Sequence, residues 1–200
     1  MQPLIYTNLT AAILFIVACL IWNAPEVIGT FWQTARVSRR DAAVRDRGSM
    51  GILIGLQWIG LALNFALGAL EPGAAIPWQR PTLFLLGVGT ILLGIAVRWY
   101  AIGTLREYFT RDVAVSAHQR VVCHGPYRYV RHPAYSGTLL TMAGVGLAMT
   151  NWLSMSALLL CVIPGHLYPV SVEEQALVQT IGQPYREYMR HTRRFIPWVL

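Results

Sequence analysis

The chain has 200 residues, of which 55% are hydrophobic and only 12% are charged, and its formal net charge is +7. Soluble globular domains carry about 25% charged residues, so the composition excludes an ordinary soluble domain and is typical of a membrane protein. The positive charge comes from sixteen arginines that cluster between apolar runs, a distribution that indicates membrane topology and argues against nucleic-acid binding.

Five apolar runs are predicted to be membrane helices, because about 20 apolar residues cross the hydrocarbon core of a bilayer. The predicted spans are residues 4–28, 50–70, 82–105, 133–150 and 152–170. The first run lacks a basic start and a small-residue cleavage site, which favours a retained helix over a signal peptide. Thr150-Asn151 is the turn signal between the last two spans, which are predicted to form a tight hairpin.

Five crossings place residues 30–49, 98–132 and 171–200 on one side of the membrane. That side holds fifteen of the sixteen arginines and leaves Arg80 opposite. The positive-inside rule makes it cytoplasmic, with the N-terminus outside and the C-terminus inside. Residues 171–200 are too charged to cross and predict an amphipathic helix broken near Gly182 and Pro184. The predicted fold is a single all-α integral membrane domain of about five transmembrane helices.

Several glycines recur within the third and fourth predicted spans. A nucleotide-binding loop is a possible interpretation of the first three, but they lie inside an apolar helix with no preceding strand. Close packing of helices through small residues is the better explanation. The glycines are Gly87, Gly89 and Gly94 in the third span and Gly137, Gly144 and Gly146 in the fourth.

The segment HGPYRYVRHPAYSG, residues 124–137, is the densest group of polar residues beside a membrane helix. One interpretation is a basic loop that contacts lipid phosphates, with its tyrosines as interface anchors. The other is a binding site, because Pro126 and Pro133 stiffen the loop. Pro133 also suits the first turn of the fourth span, where free amides would accept a carboxylate.

Glu173 and Glu174 follow the fifth span on the same side of the membrane. They could pair with arginine or with a cationic ligand, or simply occupy the exposed first turn of a C-terminal helix. The loop of residues 124–137 offers hydrogen-bond donors for an anion and aromatic faces for a base, and the two glutamates offer a carboxylate for a cation. S-adenosylmethionine needs all three, as do several other nucleotides.

These motifs resemble the isoprenylcysteine carboxyl methyltransferases and their phospholipid-methyltransferase relatives. The resemblance rests on HGPYRYVRHPAYSG followed by EEQALVQTIGQPYREYMRHTRRFIP, and it reaches back through WYAIGTLREYFTRDVAV. It covers about the last 105 residues, whereas the first two spans look like the variable part of such proteins.

The resemblance implies a methyltransferase with a cytoplasmic catalytic loop, in which S-adenosylmethionine is roofed by the loop and the C-terminal helix and leaves as S-adenosylhomocysteine. It implies a lipophilic or small-molecule acceptor that enters from the bilayer, here of a bacterial inner membrane, and no metal. By match to the family's motifs, the expected cofactor-binding residues are Gln119, Arg120, Val121, Val122, Tyr127, His132, Pro133, Ala134, Tyr135 and Glu173. The expected catalytic residues are Glu173, Glu174 and Arg194.

The sequence departs from the family just before the glutamate pair. Family members carry arginine there, thought to hold the acceptor carboxylate, whereas this chain has Pro169 and Ser171. An isoprenylcysteine carboxylate therefore lacks its clamp unless Arg98 or Arg194 supplies one. His166 and Tyr168 either shape a different acceptor site or pack between helices, and the acceptor could be a carboxylate, amine, thiol or phenolic oxygen.

Two other functions compete with methyl transfer. Sterol-type reductases share a similar loop and tail but bind NADPH, and they usually need more spans than this length allows. A non-enzymatic membrane protein whose basic face binds anionic lipid is the third interpretation.

Overall fold

The structure, a computed structural model, describes residues 2–36, 42–44, 48–105, 114–116 and 121–196. Most of them are helical, as predicted. The helices are α1 (Leu4–Thr7), α2 (Leu9–Arg36), α3 (Ser49–Leu70), α4 (Arg80–Leu105), α5 (Pro133–Ala148), α6 (Trp152–Ile181) and α7 (Gln183–His191). Short 3-10 turns form at Pro72–Ala74 and Gly125–Arg128.

Three helices, α3, α4 and α6, are long and apolar enough to cross a membrane, and the α2 segment Leu9–Ala24 is a shorter apolar helix. Large apolar side chains on their outer faces are exposed, among them Trp58, Leu86 and Leu160. A row of exposed apolar side chains along a long helix is suited to lipid, and the chain is an integral membrane protein. The prediction of five crossings remains a prediction.

The helix α5 has sixteen residues, somewhat short for a crossing of about 20 residues. Most of its side chains are buried, because it lies against both α4 and α6. As predicted, Pro133 begins this helix and the hairpin turn lies at Thr150-Asn151. The Asn151 side chain caps α6 by accepting a hydrogen bond from the Ser154 amide at 3.0 Å.

Glycines let the backbones of α4 and α5 approach each other closely. A Cβ added to Gly94 would lie 2.5 Å from the Thr141 amide nitrogen, and one added to Gly144 would lie 2.6 Å from the Ile91 nitrogen. Gly87 and Gly137 are equally confined, so the packing prediction is confirmed for these four residues. It is wrong for Gly89, which faces open space.

The sequence placed the end of the fifth span too early. It predicted an end at residue 170 and a separate C-terminal helix from 171, but α6 continues unbroken to Ile181. Glu173 and Glu174 therefore lie within α6 and not at the start of a new helix. The helix ends where Gly182 adopts a left-handed φ of 75°, and α7 follows, so the predicted break near Gly182 is confirmed.

Two local features were not predicted. The first span is broken at Asn8, whose extended backbone separates α1 from α2 and whose side chain accepts a hydrogen bond from the Ala11 amide at 3.0 Å. Strands β1 (Ala42–Val44) and β2 (Ala114–Ser116) pair in antiparallel register, Ala43 opposite Val115. The pair joins two segments that were predicted to lie on the same side of the membrane.

Candidate active site

The loop of residues 124–132 packs onto the end of α4. Gly125 adopts a φ of 59°, and a Cβ there would lie 3.2 Å from the Thr104 side chain. The following 3-10 turn buries Tyr127 against Ala101 of α4 and Ala134 of α5. The loop is therefore a packed part of the fold and not only a charged linker.

The chain's C-terminal segment, residues 192–196, runs alongside this loop and is hydrogen-bonded to it. The Arg131 amide donates to the Arg193 carbonyl at 2.7 Å, and the His132 amide donates to the Arg194 carbonyl at 3.0 Å. The Ser136 hydroxyl donates to the Phe195 carbonyl at 2.7 Å. These bonds fix the C-terminal segment against the start of α5.

A buried tyrosine provides a further link between α7 and the loop. The Tyr188 hydroxyl donates to the Tyr127 carbonyl at 2.7 Å. Burial raises the pKa of Tyr188 and of Tyr127 above the ordinary tyrosine range, so both stay protonated. Tyr188 can therefore act as a hydrogen-bond donor at any physiological pH.

Glu174 is the centre of the polar network at this end of the bundle. Its Oε1 lies 2.7 Å from Arg131 Nε and 3.3 Å from His132 Nε2. Its Oε2 lies 2.7 Å from Arg194 Nη2. Glu174 is 3% exposed, and a buried carboxylate of this kind requires such partners. One side chain therefore joins α6, the loop and the C-terminal segment.

Arg131 also closes the end of α7. Its Nη1 donates to the Met189 carbonyl at 3.1 Å and to the Thr192 carbonyl. Because the last carbonyls of a helix lack partners within it, a guanidinium at that position satisfies them. Arg131 thereby connects Glu174 to the helix that covers the loop.

The neighbouring Glu173 has a different environment. Its Oε2 lies 3.8 Å from His132 Nδ1, and its side chain is 32% exposed. His132 thus stands between two carboxylates, one enclosed by arginines and one partly open. Glu173 is the member of the pair that can reach a ligand.

Four aromatic rings form a row from the C-terminal segment into the helix bundle. The His132 ring lies 6.3 Å from Phe195 and 5.9 Å from Tyr135. Tyr135 contacts the ring of His166 edge-on, at 5.9 Å between centroids. The row provides ring faces and edges beside the partly open carboxylate of Glu173.

The structure brings most of the predicted cofactor residues to one end of the bundle. Gln119 and Arg120 lie outside the described residues. Val121 packs beside Tyr185 and Tyr188, and Val122 packs beside Tyr127. The other members of the predicted set surround the start of α5 and the C-terminal part of α6, which is predicted to lie on the cytoplasmic side. They are Tyr127, His132, Pro133, Ala134, Tyr135 and Glu173.

The structure sorts the arginines, which the sequence could not do. Arg131 and Arg194 bind Glu174, whereas Arg190 pairs with the exposed Glu187 at 3.1 Å. Arg128 lies 5.9 Å from the centroid of the Tyr129 ring and is exposed, as is Arg193. The contact between Arg131 and Glu174 was not predicted. The sequence shows two adjacent glutamates and many arginines, but it does not indicate which arginine pairs with them.

The two positions at which the resemblance leads us to expect arginine carry uncharged residues of α6. Pro169 is buried within α6, and the Ser171 hydroxyl donates to the Tyr168 carbonyl at 2.6 Å. The sequence offers Arg98 and Arg194 as residues that could replace the missing arginine clamp. Of these, Arg194 is bound to Glu174. Arg98, on α4, donates to the Ala134 carbonyl at 3.3 Å and thus points toward the start of α5.

This donor and acceptor set matches the chemistry of a sulfonium nucleotide. A partly exposed carboxylate suits a cationic group, and aromatic rings suit a base. The N-terminal end of α5, which begins at Pro133, suits a carboxylate through the helix dipole. All three lie around His132.

Comparison with known proteins gives consistent matches. The sequence model of the isoprenylcysteine carboxyl methyltransferase (ICMT) family matches residues 86–179. A probable protein-S-isoprenylcysteine O-methyltransferase of Oryza sativa subsp. indica is 29% identical over 160 residues, which are 78% of this chain and 83% of that protein. Protein-S-isoprenylcysteine O-methyltransferase B of Arabidopsis thaliana is 31% identical over 115 residues, 56% of this chain and 58% of that protein.

A comparison with solved structures finds similarity over most of the chain. One of the matches is the eukaryotic intramembrane Ras methyltransferase ICMT, with a TM-score of 0.58 and 27% sequence identity. The match covers 74% of this chain and 52% of that one, so the present chain spans about half the length of the solved protein.

Proposed function

We propose that the chain, whose residues 86–179 match the sequence model of the isoprenylcysteine carboxyl methyltransferase family, is a membrane-embedded methyltransferase that uses S-adenosylmethionine. The observation that carries the proposal lies within the matched region. Two adjacent glutamates differ in role: Glu174 is enclosed by Arg131, His132 and Arg194, while Glu173 keeps a partly open carboxylate beside His132.

Each residue of the site has a proposed part in holding the cofactor. Glu173 binds the cationic part, and the N-terminal end of α5 attracts the carboxylate. Tyr127, His132 and Tyr135 line the site for the base. Gln119 and Arg120 are proposed as contacts from the resemblance alone.

When bound, S-adenosylmethionine supplies a methyl group activated by its sulfonium charge. The protein's own contribution is alignment, because in-line attack depends on holding the donor and acceptor at the correct angle and distance. Glu174 and Arg194 were predicted to be catalytic, but their contacts favour a positioning role. They fix the loop and the C-terminal segment around His132.

We propose an inner membrane of a bacterium as the location, with the site on the cytoplasmic side. Fifteen of the sixteen arginines lie in segments assigned to that side. A lipophilic acceptor then reaches the site from the bilayer, since apolar faces surround the helices below it.

Glu173→Gln is expected to weaken the binding of S-adenosylmethionine about tenfold. The variant keeps the shape of the side chain but removes its charge, and a hydrogen bond to a charged group contributes about 1.5–3 kcal/mol against about 1 kcal/mol for a neutral one. Calorimetry on the detergent-solubilised protein measures the affinity directly. Glu187→Gln, at an exposed glutamate of α7 that pairs with Arg190 and His191, is the control and should bind like the parent. Equal affinity in both variants would contradict the role of Glu173.

A further inference from the structure

Two ionisable side chains lie within the membrane helices close to the site and have no part in the cofactor contacts. They are His166 on α6 and Arg98 on α4. Ionisable groups in membrane helices are costly to keep there and usually mark a substrate path or a reaction site. Neither residue is accounted for by the network around Glu174.

His166 is held in one tautomer. It is 1% exposed, and its Nδ1 lies 2.8 Å from the Val162 carbonyl oxygen. Because a carbonyl only accepts hydrogen bonds, Nδ1 must carry the proton when the ring is neutral. Nε2 is then a lone-pair acceptor, which is the form of histidine that can remove a proton.

The position of His166 places it directly below Glu173. The two residues are seven apart on α6, so they share a face and are separated by about 10 Å along the helix axis. Tyr135 lies between the two levels, with its ring 5.9 Å from the rings of both His166 and His132. His166 is therefore on the bilayer side of the proposed cofactor site, where a lipophilic acceptor would arrive.

The charge near His166 comes from Arg98. Its guanidinium donates to the Ala134 carbonyl at 3.3 Å and interacts electrostatically with both His166 and Tyr127. The neighbouring turns of α6 carry Pro169 and Ser171, which have no charge. The acceptor end of the site therefore combines a neutral base with a cation supplied by another helix.

We propose that His166 and Arg98 form the acceptor end of the active site, and that the acceptor carries a weakly acidic hydroxyl or thiol. A carboxylic acceptor is already ionised at neutral pH and has no proton to lose, whereas a phenol or thiol must lose one. The inference rests on the proposed methyltransferase function and adds the class of acceptor.

In the reaction, the acceptor oxygen or sulfur forms a bond to the methyl carbon with its own electron pair. The methyl–sulfonium bond breaks, and its electron pair stays on the departing sulfur. The acceptor's proton passes to His166 Nε2 and is later lost to water, while Arg98 compensates the negative charge that develops on the acceptor.

The test compares His166→Phe and His166→Gln with the parent protein in detergent. Three probes share one alkyl chain: para-dodecylphenol, dodecanethiol and dodecanoic acid. Formation of S-adenosylhomocysteine is the readout. We expect the parent to methylate the phenol or the thiol in preference to the acid, and both variants to lose about 100-fold in kcat, the usual contribution of a positioned base.

Trp152→Phe is the matched control, because it changes an exposed ring at the far end of the same helix and should leave turnover unchanged. The second readout is the affinity for para-dodecylphenol in the absence of cofactor, measured by calorimetry. His166→Phe should weaken it, because Nε2 is lost as a hydrogen-bond acceptor.

Two results would overturn the inference. One is preference of the parent for dodecanoic acid, and the other is phenol binding that does not differ between the parent and His166→Phe. S-adenosylmethionine affinity is measured for every variant. If the parent and the variants bind S-adenosylmethionine in these cases, the methyltransferase proposal stands and only the acceptor inference fails. If the parent does not bind S-adenosylmethionine, the methyltransferase proposal itself fails.

Discussion

Glu174→Ala is expected to lower the free energy of unfolding by about 3 kcal/mol, because it leaves the largely enclosed Arg131 without its counter-charge. Arg131 lies 2.7 Å from Glu174 and holds the end of α7, and the more exposed Arg194 reaches the same carboxylate from the C-terminal segment. Loss of the carboxylate should release both segments from α6. Binding of S-adenosylmethionine should be lost with them, since His132 belongs to the same network.

Glu187→Ala provides a matched control for this result. Glu187 also pairs with an arginine and a histidine, Arg190 and His191, each at 3.1 Å, but its side chain is 52% exposed. Exposed ion pairs contribute about 0–1 kcal/mol. Thermal unfolding of the two variants in the same detergent measures the difference. Similar losses in both variants would show that Glu174 is not the centre of the fold at this end.

Gly94→Val is expected to prevent α4 and α5 from packing and to reduce the yield of folded protein severely. The first atom of the new side chain would already lie 2.5 Å from the Thr141 nitrogen and 2.6 Å from the Gly137 carbonyl oxygen. Backbone atoms cannot turn away as a side chain can. Overpacking costs about 1–3 kcal/mol in ordinary cores, and a contact between backbones should reach or exceed the upper end of that range.

Gly89→Val is the control, because Gly89 lies on the same helix with nothing within 4 Å of an added Cβ. The two substitutions change helix propensity by the same amount, so only packing distinguishes them. Size-exclusion chromatography and thermal unfolding report the folded fraction. Equal behaviour of the two variants would contradict the close α4–α5 contact.

The helices could be predicted from the sequence because lipid-facing segments must be both apolar and long. The end of α6 could not, because the only local signal for the point at which a helix leaves the membrane is the appearance of charged residues. Glu174 is compensated by Arg131 and Arg194, which come from segments 43 and 20 residues away along the chain. Compensation at such sequence distances is invisible to a local pattern, so the helix was predicted to end before its glutamates.

The site shows the same division between local and long-range information. The start of α5 at Pro133 follows from the conformational restriction of proline and was predicted correctly. The pairing of Arg131 with the Arg193 carbonyl depends on how the C-terminal segment runs beside the loop. No periodicity specifies that contact. The different environments of Glu173 and Glu174 likewise emerge only in three dimensions, since adjacent residues point about 100° apart on a helix.

The two strands could not be predicted from the sequence either. Each has only three residues, Ala42–Val44 and Ala114–Ser116, and an isolated pair of strands is marginal in water. Their pairing depends on the helices that bring the two segments together.

The most direct test of the central claim is calorimetric titration of the detergent-solubilised protein with S-adenosylmethionine, S-adenosylhomocysteine and NADPH. The proposed site predicts binding of the methyl donor and of its product, both weakened by Glu173→Gln, and no binding of NADPH. Binding of NADPH alone would contradict the account and identify a reductase, and absence of binding by all three ligands would contradict a nucleotide site around Glu173.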